Sequence, residues 1–369
     1  MGNSARTLAA RQIAWRRLAN QHLLAPLTAP LEVVRSLGAV QSQDYIGGKW
    51  GIGQRTIAAT DADIERELTA GTIVRTHVLR PTWHFVAAED IRWMLALTGP
   101  RIRAILASYD KTLEVDSKVL ARSTTAFTRA LSGENHLTRA ELRQVLEKAR
   151  IAADGTQRLA HIVMHAELNG LVCSGLRRGK QSTYALLDER LPAVKPIARD
   201  AALTELARRY FLTRGPATVH DFSWWSGLTV ADARRGLEGI QSLLEKEEFG
   251  GRMYWFAGSA PSAKDASSTA HLLPNYDEYF IGLKDRSAMS ELVKERVVGL
   301  PGDTFVANVV AAGGQLAGGW TRAVGPRSAK LVVRLVTRVT AGQLRAIKSQ
   351  VRRYGEFLQL PVAVEYLRS

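Results

Sequence analysis

Gln41 and Gln43 stand one residue apart in Ala39-Val40-Gln41-Ser42-Gln43-Asp44-Tyr45. An apolar helical pattern precedes them, and the glycine-rich run Ile46-Gly47-Gly48-Lys49-Trp50-Gly51-Ile52-Gly53 follows. A carboxamide donates and accepts hydrogen bonds but does not ionise, and it attacks carbon poorly. A pair of them therefore suits a reaction needing little acid or base strength, such as holding one water beside a bond already primed to break. Taken alone, two glutamines after a helix more often serve as hydrogen-bonding groups at its end. Asp44 is a candidate base or stabiliser of positive charge, and equally a helix cap or an ion-pair partner of Lys49 or Arg55. The glycines at 47, 48, 51 and 53 match neither GxGxxG nor a Walker loop. They read as a loop whose backbone comes close to something.

Other groups carry weaker chemistry. Arg177-Arg178-Gly179-Lys180-Gln181 lies between two strand-like runs, as a basic hairpin tip that can enter a groove or straddle phosphates. A solvated turn is the competing reading, but the protein's charge favours DNA contact. Lys49, Arg55 and Arg80 join Arg177, Arg178 and Lys180 as candidate DNA contacts. His161 and His165 stand four apart on a helical pattern, yet no HExxH glutamate or nearby third ligand accompanies them, so no metal is expected. Asp277 and Glu278 in Leu272-Leu273-Pro274-Asn275-Tyr276-Asp277-Glu278-Tyr279 are more readily caps and inter-segment hydrogen-bonders than acid and base. No GxSxG, SxxK or Cys/His pairing points to a covalent hydrolase. The single cysteine, Cys173, sits in an apolar run and reads as a buried structural thiol in a reducing compartment.

The 369 residues carry 50 Lys and Arg against 35 Asp and Glu, a net charge of +15. Such an excess favours polyanions, nucleic acid before an anionic membrane. The basic residues are scattered through folded-looking segments, which points to a structured groove and away from a disordered arm. The N-terminus has no apolar signal core, Arg6 breaks the myristoylation pattern, and no apolar run is long enough to cross a bilayer. The expectation is a cytoplasmic, nucleoid-associated monomer with neither membrane nor protein partner.

The elements that must position these residues repeat. Apolar periodicity predicts helices from Leu8 to near Pro26, from Leu31 to Val40 and from Ile64 to Gly71. The runs 73–78 and 82–86 then read as a hairpin, and helices followed by a short hairpin make a winged helix-turn-helix. A second copy spans helices 124–131, 137–148 and 157–169 with strands 171–175 and 182–186. Thr138-x-x-Glu141 is a capping box at the start of its middle helix. A third copy begins at Asp200 and carries its hairpin around Gly250-Gly251. After a linker at 259–265 come strands 305–310, 315–320 and 330–335, a Gly313-Gly314 turn, a helix 341–358 and a strand 361–366. The fold class is α+β: three tandem winged helices (residues 1–120, 121–198 and 199–258) and a β-rich, barrel-like domain (259–369).

These signals converge with specific runs. Gln-x-Gln, Thr82-Trp83-His84-Phe85-Val86, Leu-Leu-Pro-Asn-Tyr-Asp-Glu-Tyr at 272–279 and Gly318-Gly319-Trp320-Thr321-Arg322 together resemble the bacterial AlkZ/YcaQ winged-helix DNA glycosylases. The resemblance runs from about residue 6 to the C-terminus. It implies a C-shaped protein cradling duplex DNA and hydrolysing N-glycosidic bonds to alkylated purines, including bulky adducts and interstrand crosslinks, without metal or cofactor. Gln rather than Asp at position 43 implies the AlkZ-like group, associated with self-resistance to DNA-alkylating natural products. The middle motif residue, usually apolar in the family, is Ser42 here. The implied function is a monofunctional glycosylase for N7-alkylated guanine, with Gln41 and Gln43 catalytic. Asp44, Trp83 and His84 are candidates for support, core packing being the equal alternative for Trp83. A winged-helix transcription regulator without enzymatic activity is the alternative, and it would bind one undamaged operator.

Overall fold

The computed structural model describes residues 3–153, 155–258, 261–290 and 308–368. It is a mixed α+β chain that divides into two compact units, each built from more than one stretch of sequence. One comprises residues 1–64, 204–225 and 229–369, and the other 65–203 and 226–228. Among the described residues, no helix is long and apolar enough to cross a membrane.

The first unit opens with the helix Asn3–Asn20, which turns Ala10, Ile13, Ala14, Trp15 and Leu18 inward at helical spacing. It stops well before Pro26. The helix Pro30–Leu37 has proline in its first turn, where the missing N–H costs nothing, and buries Val33, Val34 and Leu37. It ends at Gly38, whose φ of 77° few other residues adopt. Val40–Gln41 is therefore extended, and the expected helix running to Val40 is corrected.

A second correction concerns the glycine-rich run. Tyr45–Gly53 is a helix, not a loop. Interior glycines cost a helix roughly 1 kcal/mol each relative to alanine. Here they permit close approach: a Cβ on Gly53 would lie 2.5 Å from the Phe357 ring, and one on Gly47 would lie 3.1 Å from Pro274. Trp50, fully buried on the same helix, packs edge-on to Tyr354 with centroids 5.0 Å apart and donates its indole N–H to the Leu272 carbonyl. The backbone does come close to its neighbours, as the glycines imply, but as a helix and not as a loop.

Helices Arg199–Arg214, Val219–Ser226 and Val230–Glu238 are followed by the hairpin Glu245–Phe249/Arg252–Phe256, with Phe249 opposite Arg252 across Gly250-Gly251. Both turn glycines have positive φ, as a two-residue hairpin of this twist requires. The final stretch forms a five-stranded sheet in the order Val362–Arg368, Ala329–Leu335, Gln315–Val324, Val309–Ala312, Ala270–Leu273. Only the first pair is parallel, joined through the helix Ala341–Leu358, as a parallel crossover demands. Among the described residues the strand order is linear, and no pairing between its first and last strands closes it into the expected barrel. Gly313-Gly314 turns between its strands as expected. Of the predicted strand 305–310, residues 305–307 lie outside the described residues, as do 259 and 260 of the predicted linker. The rest of that linker includes a short helix, Ala263–Ser267.

In the second unit the hairpin Ile73–His77/Trp83–Ala87 is followed by a 22-residue helix, Ile91–Thr112, which lies outside the predicted elements. Then come helices Ser117–Leu131, Arg139–Lys148 and Thr156–Leu168. Strands Leu137–Thr138, Thr183–Leu186 and Val172–Ser174 form one antiparallel sheet in that spatial order. Phe127, Leu131, Leu142, Leu146, Leu159 and Val172 share a buried cluster that holds these elements together. The capping box is present: the Thr138 hydroxyl accepts from the Glu141 amide while the Glu141 carboxylate accepts from the Thr138 amide.

His271, on the edge strand Ala270–Leu273, is 3% exposed, and neither ring nitrogen has a hydrogen-bond partner among the described residues. Burial, then the charges of Arg55 and Arg353, push its pKa from 6.5 down to about 3. Between those values the unfolded chain binds a proton that the folded chain refuses. Stability present above pH 6.5 is therefore lost as the pH falls toward 3. We predict that urea unfolding at pH 7 and pH 5 shows a drop in stability that His271→Leu reduces by about 1–2 kcal/mol. An equal drop in both proteins would contradict this.

Candidate active site

The extended segment carrying the two glutamines is fixed by charge buried beneath it. Arg214, at the end of the helix Arg199–Arg214, is fully buried. Its guanidinium donates to the Leu37 carbonyl at 2.8 Å and the Ala39 carbonyl at 3.1 Å. These bonds satisfy carbonyls where the helix Pro30–Leu37 breaks off, which a helix C-terminus otherwise leaves to water. The same guanidinium binds Glu278 Oε2 at 2.6 Å through Nη2 and 3.1 Å through Nε. Trp225 donates its indole N–H to that oxygen at 3.0 Å, and its ring lies 4.2 Å from the Arg214 guanidinium carbon. The other carboxylate oxygen, Oε1, accepts the backbone N–H of Gln41 at 2.9 Å.

Asp277 completes the anchor one residue earlier. It caps the short helix Glu278–Ile281 and forms a bidentate pair with Arg55, both bonds 2.8 Å. Arg55 also donates to the Gln21 backbone and side chain, and Gln54 donates to Asp277. Asp277 and Glu278 thus bind two arginines from distant parts of the chain, and Glu278 reaches the motif itself. Both are the cap and inter-segment hydrogen-bonders that their sequence context implies. The contact with Gln41 leaves no signal in the sequence, because that partner is a backbone amide 237 residues away.

The two glutamines differ in setting. Gln41 is 4% exposed and Ser42 is fully buried, whereas Gln43 is exposed. The polar Ser42 is thus accommodated inside the protein. Asp44 starts the helix Tyr45–Gly53, accepting the Gly47 amide at 3.0 Å, and pairs with Arg322 from the strand Gln315–Val324. That arrangement favours the capping role over the base, although the cation is Arg322 and not Lys49 or Arg55.

Several expected DNA contacts are committed elsewhere. Arg55 is fully buried in its pair with Asp277, so it is a structural cation and not a phosphate ligand. Lys49 is 3% exposed and paired with Asp61 at 2.7 Å, which removes it likewise. In the second unit Arg177 pairs with Glu65 at 2.9 Å, Arg178 with Glu141 at 2.7 Å, and Arg80 is half-buried. Hydrogen bonds from the Thr138 amide and then Arg178 hold the Glu141 carboxyl down at about 2. Lys180, at the exposed tip, has no ion pair among the described residues.

His84 is fully buried, its Nδ1 2.9 Å from the Thr82 carbonyl, so its expected approach to a lesion is corrected to a core position. Trp83 is half-buried with the Arg75 guanidinium 4.3 Å from its ring and His77 4.4 Å away, the latter held by Glu167 at 2.5 Å. His161 and His165 both hydrogen-bond Asp110, at 2.9 and 2.8 Å, an acidic partner too distant in sequence to be foreseen. Cys173 is buried as expected, and burial pushes its thiol up to about 12.

A family model described as DNA glycosylase AlkZ-like matches residues 34–357. An interstrand DNA cross-link repair glycosylase of Streptomyces sahachiroi is 24% identical over 329 residues, covering 84% of this chain and 87% of that protein. The solved structure of the Streptomyces sahachiroi DNA glycosylase AlkZ superposes with a TM-score of 0.74 at 21% identity, over 96% of this chain and 99% of that one. The likeness establishes a shared fold.

Removing one member of a buried ion pair leaves its partner's charge uncompensated, at a cost of about 3–5 kcal/mol. Glu278→Gln is expected to lower the denaturation free energy by that order. Adding Arg214→Met to it should recover part of the loss. Additive losses in the double variant would contradict a coupled pair.

Proposed function

The chain belongs to the AlkZ-like DNA glycosylase family, and from that premise we propose that it hydrolyses the N-glycosidic bond of N7-alkylated guanine in duplex DNA. Alkylation at N7 gives the base a formal positive charge, so it departs neutral and its leaving needs no acid. The glycosidic electron pair goes to the base as the bond breaks, and the sugar acquires oxocarbenium character. Water adds to C1′ from the opposite face and sheds its proton to solvent. The task left to the protein is to place that water, and positioning alone supplies large rate factors.

One observation carries the assignment: a backbone clamped by Glu278 presents Gln43 to solvent, one residue from Gln41. In this reading the Gln43 carbonyl oxygen takes the water from outside. The buried Gln41 carboxamide, whose orientation the packing limits, takes it from within. Asp44 acts by capping and by its pair with Arg322, and so holds Gln43 in place without serving as base. No lysine serves as a Schiff-base nucleophile, and the enzyme leaves an abasic site. The Streptomyces relative's function in interstrand cross-link repair supports extending the substrate to bulky and crosslinked adducts, in a role of DNA repair or self-resistance.

We further read three stretches as winged helices that grip the duplex in a C-shaped cradle. Support comes from the order of helices followed by an antiparallel hairpin, which recurs at Glu245–Phe256 and around Val172–Leu186. Arg80, Arg177, Arg178 and Lys180 remain the proposed phosphate contacts, Arg177 and Arg178 by exchanging a glutamate for a phosphate.

Gln41→Ala and Gln43→Ala should each retain duplex binding while single-turnover excision of N7-methylguanine falls by roughly 10²-fold or more. The assay incubates alkylated duplex with protein, heats it briefly in dilute hydroxide to cleave at abasic sites, and subtracts the cleavage of the same duplex treated without protein. Unmodified excision rates in both variants would remove the glutamines from the mechanism. A wild-type protein that leaves no alkali-labile sites would remove the glycosylase reading altogether.

A further inference from the structure

In the first unit a hollow of about 720 Å³ opens beside the hairpin Glu245–Phe256 and the start of the helix Val219–Ser226. Trp255 and Met253 from the hairpin supply apolar lining, and Arg234, Lys284 and His220 stand around it. Its volume lies in the range of ligand sites, and none of the residues assigned to the candidate active site lines it.

The charge balance of the hollow is one-sided. It has two carboxylates, and both are spent. Asp221 is fully buried and accepts four bonds: the Thr218 amide at 2.9 Å, the Thr218 hydroxyl at 2.8 Å, and the amides of Lys284 and Asp285 at 2.9 and 2.8 Å. Asp285 binds Arg252, the Tyr254 hydroxyl and Ser287. Arg234 and Lys284 are exposed, and neither has an ion pair or side-chain hydrogen bond among the described residues. Two unpaired cations and a histidine therefore surround an aromatic floor. At the rim, Gly251 leaves its surroundings open, since a Cβ there would meet nothing within 4 Å.

We propose that this hollow seats the phosphodiester backbone of the bound DNA, Arg234 and Lys284 taking phosphate oxygens and the Trp255 ring lying against the sugar. Cations that no carboxylate neutralises gain most from a polyanion, because each phosphate they engage releases condensed counterions. Trp255 suits the apolar face of deoxyribose, and His220 adds a hydrogen-bond donor. Arg234 comes from the helix Val230–Glu238 and Lys284 from the segment after Ile281, so the site is preformed by three separate parts of the chain. The proposal rests on the DNA-acting reading of the protein but is independent of its chemistry.

The test uses the full chain and a fluorescently labelled, undamaged duplex titrated at several salt concentrations. The double variant Arg234→Ala/Lys284→Ala should bind roughly tenfold more weakly at moderate salt, and its slope of log affinity against log salt should shrink by about 1.8, or 0.9 per lost phosphate contact. Arg234→Lys/Lys284→Arg, which keeps both charges, should retain the wild-type slope. An unchanged slope in the alanine variant overturns the proposal. Calorimetry with adenosine monophosphate and with inorganic phosphate separates the sources. Submillimolar binding of either by the wild type, lost in the alanine variant whose duplex slope is intact, would assign the hollow to a free nucleotide or phosphate and overturn the DNA assignment. Single-turnover excision from alkylated duplex by the alanine variant should need roughly tenfold more protein to reach half its maximal rate, in step with the weaker binding. A wild-type protein that excises nothing yet shows the predicted slope change would sink the glycosylase reading while leaving this contact standing.

Discussion

The buried ion pair of Arg214 and Glu278 is the constraint on which the motif's geometry depends. Taking both charges out of water costs several kcal/mol per ion, and their attraction offsets that only when the remaining donors and acceptors are also satisfied. Here they are well supplied. Arg214 bonds Leu37, Ala39, Thr213 and Glu278, while Glu278 accepts from Arg214, Trp225 and the Gln41 amide. What such a pair confers is a single backbone path. A helix is ended at a chosen carbonyl, the chain is turned out at Gly38, and the next amide but two is caught by a carboxylate.

Asp277 extends the same logic to the helix Tyr45–Gly53 through Arg55. Two consecutive acidic residues thereby anchor the segment before the glutamines and the helix after them. The glycines of that helix permit the close packing this needs, at the expense of helix propensity. Asp44 and Arg322 tie the helix start to the C-terminal sheet. The Gln41–Gln43 stretch is thus held at both ends by charge and left open at Gln43. The water-positioning role proposed for the glutamines would draw on that combination of rigid backbone and one exposed carboxamide.

The elements that obey local rules were legible in the sequence. The Thr138 capping box, the Gly250-Gly251 and Gly313-Gly314 turns, and the strands and helix near the C-terminus follow from side-chain period and turn chemistry, which act over a few residues. What escaped was set at long range. Glycine-rich 46–53 forms a helix because its neighbours require close approach, overriding propensity. The helix ending at Leu37 stops where Arg214 stops it, 177 residues away. Net charge also overstated the DNA surface. Arg17, Arg55 and Arg214 are fully buried and bind the protein's own carbonyls and carboxylates. The specific runs were more informative than the bulk charge, since Leu272–Tyr279 contains the two acids that anchor the motif.

Hydrogen exchange resolved to the Gln41 amide tests the central claim most directly, because that amide is the atom group Glu278 is held to restrain. The account predicts that it is strongly protected in the wild type. In Glu278→Asp, where the carboxylate is drawn back by one methylene, it should exchange much faster while the core amides of the strand Ala329–Leu335 keep their protection. Fast exchange at Gln41 in the wild type, or equal protection in both proteins, would mean that the buried carboxylate does not fix the motif.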